Sequence, residues 1–190
     1  MKLDLLSTIK GSALEDFFPA GWDLARMDEL AGRAPERIGE REQYWSEGYE
    51  PVECESVDDL EVRMGVEIAT QIIETRAEGR QLALILPVGP MGMYRWTIDR
   101  LKEEEIPCDH VWGFNMDEWS DAEGNTLPGD TPGSFQNAME EAFYDRLGEL
   151  TVPPEQRYFA TRERLEQYPG KIAELRAAGA AHVRQRPRRA

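Results

Sequence analysis

Hydrophobic side chains recur at every fourth position after Ser56 and predict a long amphipathic helix. They share one helix face because an α-helix repeats about every 3.6 residues. These positions are Leu60, Met64, Ile68 and Ile72. Ser56 and Asp59 have the spacing of a capping pair, and Gly79 predicts the end of the helix after about five turns. The apolar run Leu82–Leu86 follows, and such a run is typical of a strand buried on both faces.

A second helix and a second strand repeat this order. Ile98 and Leu101 lie on one face of the predicted helix, and residues 110–115 form the predicted strand. Ser134 is expected to cap a third helix, because serine is favoured at that position. The apolar face of the third helix is formed by Phe135, Met139, Phe143 and Leu147. The polar loop before it, from about residue 120 to 133, is long enough to indicate a functional segment or a lid.

The last units of the pattern are a helix over residues 171–178 and a third strand that begins at residues 180–183. Helices and strands in alternation predict an α/β fold, a three-layer Rossmann-like parallel sheet with flanking helices. The domain is expected to span residues 56–183 and to be an incomplete N-terminal portion of a larger sheet. An unpaired strand edge in such a piece favours a homo-oligomer.

The two ends of the chain differ from this domain. Residues 1–55 are irregular, with a short helix expected from Asp23 to Ala31, and they are predicted to be an extension packed on the domain. Four arginines crowd into residues 184–190 together with Pro187, which cannot continue a central strand. We expect this basic tail to be a non-native continuation of a truncated chain.

Composition excludes several classes of protein. The 190 residues carry 37 acidic and 22 basic side chains, a net charge of −15, which disfavours nucleic-acid binding. No stretch is long and apolar enough to span a membrane, and a secretory signal is not expected, because Asp4 comes before any long apolar run. Two cysteines and two histidines, none in a ligand spacing, predict no metal site and no disulfide framework. We therefore expect a cytoplasmic protein without a metal or cofactor.

Two predicted strand ends could carry chemistry, because ligands of open α/β sheets bind beyond the carboxyl ends of the strands. After the first strand, the turn around Gly89 and Gly92 leads into a helix and could offer N–H groups to a phosphate. It could equally be a tight turn that needs small residues. After the second strand stand Asp117 and Glu118. A carboxylate there could remove a proton next to a carbonyl or imine if burial raises its pKa, or the pair could complement a helix dipole.

These segments together resemble the glucosamine-6-phosphate isomerase/deaminase family. The motifs are a strand ending Leu-Pro-Val-Gly, Tyr94 early in the next helix, Phe-Asn-Met-Asp-Glu-Trp at residues 114–119, and Asp-Thr-Pro-Gly-Ser-Phe at residues 130–135. The resemblance implies that an amino-sugar phosphate becomes a ketose phosphate with loss of ammonia. It assigns Asp117 as the enolising base and Glu118 as a neighbouring positional acid. Gly89, Met91, Gly92 and Ser134 correspond to substrate-binding positions.

Departures from the family pattern add two expectations. The turn lacks the serine or threonine hydroxyls of the family's phosphate loop, and Val88 and Met91 stand in that neighbourhood. The chain also stops before the family's histidine-containing turn, so we expect it not to release ammonia at a family-like rate. A non-catalytic sugar-phosphate-binding module and a phosphogluconolactonase-type hydrolase are the alternatives.

Overall fold

A three-stranded parallel sheet forms the centre of the protein. The structure is a computed structural model that describes residues 52–181, together with Gly21, Asp23, Ala25 and Arg26. Its strands are β1 (Leu82–Leu86), β2 (Val111–Asn115) and β3 (Arg157–Tyr158), in the order β1-β2-β3. Leu82 pairs with Val111, and Gly113 pairs with Arg157, in parallel ladders. Helices flank this sheet, so the predicted α/β fold with a parallel sheet is confirmed.

The helices follow the predicted order. They are α1 (Val57–Ala77), α2 (Gly92–Glu103), α3 (Phe135–Met139), α4 (Asp145–Leu147), α5 (Arg162–Leu165) and α6 (Tyr168–Ala177). A π-helical turn, Glu140–Tyr144, joins α3 to α4. The predicted third helix is therefore a continuous helix that contains one π-helical turn. Short 3₁₀ turns occupy Gly148–Leu150 and Pro154–Gln156.

The predicted third strand at residues 180–183 is described only as far as Ala181, which pairs in parallel with β1, and a further strand, β3, was not predicted. β3 is Arg157–Tyr158, beside β2, whereas residue 181 makes only a single parallel bridge to Leu82 on the opposite edge of β1. That bridge consists of the Ala181 N–H to the Gln81 carbonyl and the Ala83 N–H to the Ala181 carbonyl, at 2.8 and 3.2 Å. β3 contains no apolar run, and its place is set by pairing with β2 rather than by local pattern.

Helices α1 and α2 pack closely against each other, because small side chains bring their backbones together. A Cβ at Gly65 would overlap the backbone carbonyl oxygen of Met93 and lie 2.7 Å from the Cβ of Trp96. The buried Thr97 hydroxyl donates to the Gly65 carbonyl at 3.0 Å. At the start of α1, the Ser56 hydroxyl accepts from the Asp59 N–H at 3.0 Å, which confirms the predicted cap.

The two faces of the sheet are covered to different degrees. Leu82, Leu84 and Leu86 point into the main core, with α1, α2 and the π-helical turn. On the other face, Phe114 packs edge-on against Tyr168 of α6, at 5.3 Å between ring centroids. Ile85 lies on that second face and remains 62% exposed, so the outer layer covers β2 and β3 better than β1.

Several predictions concern residues outside the described part of the chain. Most of the N-terminal extension, including most of the predicted helix from Asp23 to Ala31, lies there, and so do the basic tail and the predicted continuation of a strand beyond residue 181. Within residues 52–181 and the four described residues before them, no helix is both long and apolar enough to cross a bilayer.

Candidate functional site

The two chemistry-bearing segments lie at the same edge of the sheet. Leu86, the last residue of β1, is in register with Asn115, the last residue of β2. The Met116 N–H donates to the Leu86 carbonyl at 3.1 Å and extends the pairing by one step. The turn after β1 and the acidic pair after β2 therefore leave the sheet side by side, as parallel pairing requires.

The turn between β1 and α2 is held by its own residues. The Met91 N–H donates to the Gly89 carbonyl at 2.8 Å. The Tyr94 hydroxyl donates to the Pro87 carbonyl at 2.8 Å, from a ring that is buried in the core. Burial raises the pKa of this phenol, so it stays a neutral donor. Gly89 is exposed, whereas Met91 is partly buried against the core.

A carboxylate from another helix lies against the end of this turn. The side chain of Glu61, in the second turn of α1, occupies the space that a Cβ on Gly92 would need. Gly92 is the first residue of α2, where helix N–H groups favour a negative charge. The sequence prediction placed a ligand group near Gly92 and did not foresee Glu61.

The adjacent carboxylates after β2 have different surroundings. Glu118 is partly buried and accepts backbone hydrogen bonds from Trp119 at 2.9 Å, Phe135 at 3.0 Å and Gln136 at 2.9 Å. It thus caps the start of α3 across a gap of 17 residues. Asp117 is exposed and, within the described residues, has no hydrogen-bond or ion-pair partner. The described residues therefore do not bury Asp117, although burial was the condition under which a base was predicted at this position.

Ser134 lies beside Glu118 at the same helix start. Its hydroxyl accepts from the Asn137 N–H at 2.9 Å and donates to the Gly129 carbonyl at 3.2 Å. Its side chain is fully buried. The predicted cap is thus confirmed, and the structure brings Ser134 together with Glu118. The further prediction that Ser134 binds substrate stays a prediction. In the structure, the Ser134 hydroxyl bonds to the Asn137 N–H and the Gly129 carbonyl.

Sequence reasoning missed a group of polar contacts that hold the end of β2. The Asn115 side-chain amide donates to the Tyr158 carbonyl at 3.1 Å. The Tyr168 hydroxyl lies 3.1 Å from the Asn115 carbonyl and 2.7 Å from the Tyr158 carbonyl. These bonds tie β2, β3 and α6 together two residues before Asp117. No local pattern could have found them, because the partners are up to 53 residues apart in the chain.

The polar loop after β2 is ordered by internal hydrogen bonds. The Asp121 carboxylate accepts from the N–H groups of Glu123 and Asn125 at 3.0 and 2.8 Å. Arg162 of α5 donates to the Asn125 side chain at 2.8 Å. Ser120 and Thr126 form a bridge that closes the turn. Within residues 52–181 and the earlier described positions, no group of three His, Cys, Asp or Glu side chains is arranged to hold a metal ion.

Comparison with known proteins identifies what the chain is similar to. No protein-family model matches it. Over 82 residues it is 34% identical to a Caenorhabditis elegans protein named glucosamine-6-phosphate deaminase. The resemblance to the glucosamine-6-phosphate deaminase family is confirmed. The aligned part is 42% of this chain and 29% of that relative, so this chain spans less than a third of the relative's length.

A solved structure has a fold similar to that of this chain. It is described as a monomeric glucosamine-6-phosphate deaminase and as a missing link of the NagB superfamily. The alignment has a TM-score of 0.51 at 21% sequence identity and covers 68% of this chain and 51% of the solved chain. At that identity the likeness concerns the fold, and it agrees with the parallel sheet and flanking helices found here.

Proposed function

We propose that this chain binds an amino sugar at the carboxyl edge of its sheet, and that Asp117 moves a proton between two neighbouring carbons of it. The observation that carries the proposal is the contrast between the two acids after β2. Glu118 accepts hydrogen bonds from three N–H groups, whereas Asp117, one residue earlier, is exposed and has no partner among the described residues. A base must reach its proton directly, and Asp117 is the acid that can.

The reaction that fits is that of the family. In the open-chain sugar, Asp117 takes the proton from C2, and the electrons of the C–H bond form a C1=C2 double bond as the aldehyde oxygen gains a proton from solvent water. The same carboxyl returns its proton to C1, which leaves an imine at C2. Water then adds to C2 and ammonia leaves, so that a ketose remains. One carboxylate on one face serves both proton transfers, and a bound sugar would supply the burial that Asp117 lacks.

The neighbouring residues support this role by fixing the backbone. Glu118 fastens the segment after β2 to the start of α3. Asn115 and Tyr168 fasten the end of β2 to β3 and α6. Asp117 thus projects from a chain held on both sides, as a positioned base requires. The excess of acidic over basic residues supports a small-molecule ligand rather than a nucleic acid.

The whole reaction is part of the proposal, since the chain spans under a third of the curated relative. Proton transfer at C2 needs only the acid and the open-chain form of a bound sugar, so it is the step most directly tied to the described residues. We expect exchange at C2 even where ammonia release is slow.

Solvent exchange at C2 tests the proposal. Glucosamine and glucosamine 6-phosphate are incubated with the full chain in D₂O, and loss of the C2 proton signal is followed by NMR. We expect exchange with the wild type, at least a hundredfold slower exchange with Asp117→Asn, and unchanged affinity for the sugar. Asp130→Asn, which changes another exposed acid in the following loop, is the matched control and should exchange like the wild type.

Two outcomes would contradict the proposal. Exchange at the wild-type rate in Asp117→Asn would remove Asp117 from the chemistry. Sugar binding with no exchange in the wild type would favour the alternative of a non-catalytic sugar-binding module.

A further inference from the structure

His110 is a buried imidazole at the amino end of the sheet, at the opposite end of β2 from Asp117. It directly precedes β2 and is 7% exposed. Its Nε2 atom lies 3.0 Å from the Ile72 carbonyl oxygen and 3.2 Å from the Thr75 hydroxyl oxygen, both in α1. Because a carbonyl only accepts, Nε2 is the nitrogen that carries the hydrogen. His110 therefore joins the C-terminal part of α1 to the start of β2.

The second ring nitrogen has surroundings that fit a neutral ring. Nδ1 is buried and has no hydrogen-bond partner among the described residues. The Pro107 carbonyl near the ring already accepts from the Arg76 guanidinium at 3.1 Å. A protonated ring would carry a second N–H at Nδ1, and a buried N–H without an acceptor is costly.

Two charged side chains face the ring and act in opposite directions. The Arg76 guanidinium of α1 disfavours a second positive charge, whereas the Asp109 carboxylate favours it. Asp109 is paired with Arg76, its side chain is 67% exposed, and its Oδ1 lies 3.9 Å from Nδ1, so solvent weakens its attraction. Cys108, in the same loop, stays neutral because burial raises its pKa to about 12. Burial is the largest influence on His110 and lowers its pKa below the ordinary value.

We infer that His110 makes a pH-sensitive contact between α1 and β2, which stabilises the fold while the ring is neutral and weakens when the ring gains a proton. In the unfolded chain the exposed imidazole takes up its proton near pH 6.5, at about the ordinary value for histidine. In the folded protein the ring stays neutral to a lower pH. Between these two values the unfolded state binds more protons, so the stability falls as the pH falls. The inference is independent of the proposed function, because His110 is no part of the candidate site.

Urea unfolding of the full chain at about pH 7.5 and about pH 5.5 tests the inference. Over this range the unfolding equilibrium constant of the wild type should rise about fivefold more than that of His110→Gln. The glutamine keeps an N–H that can donate to Ile72 and cannot gain a proton. His182→Gln removes the other imidazole of the chain and is the matched control, with the wild-type dependence expected. Asp109 stays charged over the range, because Arg76 holds its pKa below the usual value.

An NMR titration of the folded wild type gives a second measurement that does not depend on the stability of His110→Gln. The ring resonance of His110 is assigned by its persistence in His182→Gln, and we expect its midpoint below about pH 6. A midpoint at or above about pH 6.5 would overturn the inference. Equal pH dependence of unfolding in the wild type and His110→Gln, or its loss in His182→Gln, would overturn it as well.

Discussion

Carboxylates lie near the start of the helix that follows β1 and of the helix that follows β2, yet their surroundings differ. At the β1 end, Glu61 reaches across from α1 and lies against a glycine in the first turn of α2. At the β2 end, Glu118 is bound by three N–H groups around the start of α3, and Asp117 has no partner among the described residues. Asp117 and Glu118 are neighbours in sequence after the same strand and still differ in their hydrogen-bond partners.

Gly65, in the α1–α2 contact, should show the largest effect on stability. Gly65→Ala would drive a Cβ into the Met93 backbone carbonyl, which cannot move aside without shifting the helix. We expect a loss of about 3 kcal/mol in the free energy of unfolding, measured in urea.

Gly92→Ala is the matched test at the β1 end. Its new Cβ would meet only the far end of the Glu61 side chain, which can rotate away. We expect a loss below about 1 kcal/mol, because rotamer change is cheap on a partly exposed side chain. A loss as large as that of Gly65→Ala would mean that Glu61 is fixed in place and structural.

The two acids after β2 should contribute unequally to the free energy of unfolding. Glu118→Ala leaves the Phe135 and Gln136 N–H groups without their acceptor, and we expect a loss of about 2 kcal/mol. Asp117→Ala removes no contact among the described residues and should change the free energy of unfolding by less than about 0.5 kcal/mol. Equal losses would end the distinction between a cap and a free base.

Ser134 gives a smaller effect that separates capping from ligand binding. Ser134→Ala removes the acceptor of the Asn137 N–H, and Ser56→Ala removes the matching cap of α1. Each should cost about 1 kcal/mol of stability. Sugar affinity, measured by calorimetry, should be the same in both variants. A loss of affinity confined to Ser134→Ala would show that its hydroxyl meets the ligand.

The spacing of apolar residues was sufficient to predict the helices and strands whose sequences follow a regular hydrophobic period. Helix α1 with its Ser56 cap, the strands β1 and β2, and the cap of α3 follow from apolar spacing and from residue preference at helix starts. The acidic pair was likewise visible as two carboxylates directly after a strand. Glu118 is bonded to the protein and Asp117 is exposed, and the expectation that Asp117 faces a ligand stays a prediction.

Features that depend on contacts between distant segments could not be predicted. β3 has only two residues and is specified by Gly113 and Phe114 opposite it, not by its own sequence. The approach of Glu61 to Gly92 depends on how α1 crosses α2, which no periodicity encodes. The loop after β2 looked structureless because its order comes from Asp121 and Arg162 side chains bonding to loop groups.

The most direct test of the central claim observes the two neighbouring carboxylates during sugar binding. In the full chain with ¹³C-labelled aspartate and glutamate, the carboxyl resonances of Asp117 and Glu118 are assigned by comparison with Asp117→Asn and Glu118→Gln. On titration with glucosamine, the Asp117 resonance should move with saturation, because the sugar covers that side chain, while the Glu118 resonance stays within its three hydrogen bonds and does not move. A Glu118 resonance that moves while that of Asp117 remains unchanged would contradict the assignment of Asp117 as the base.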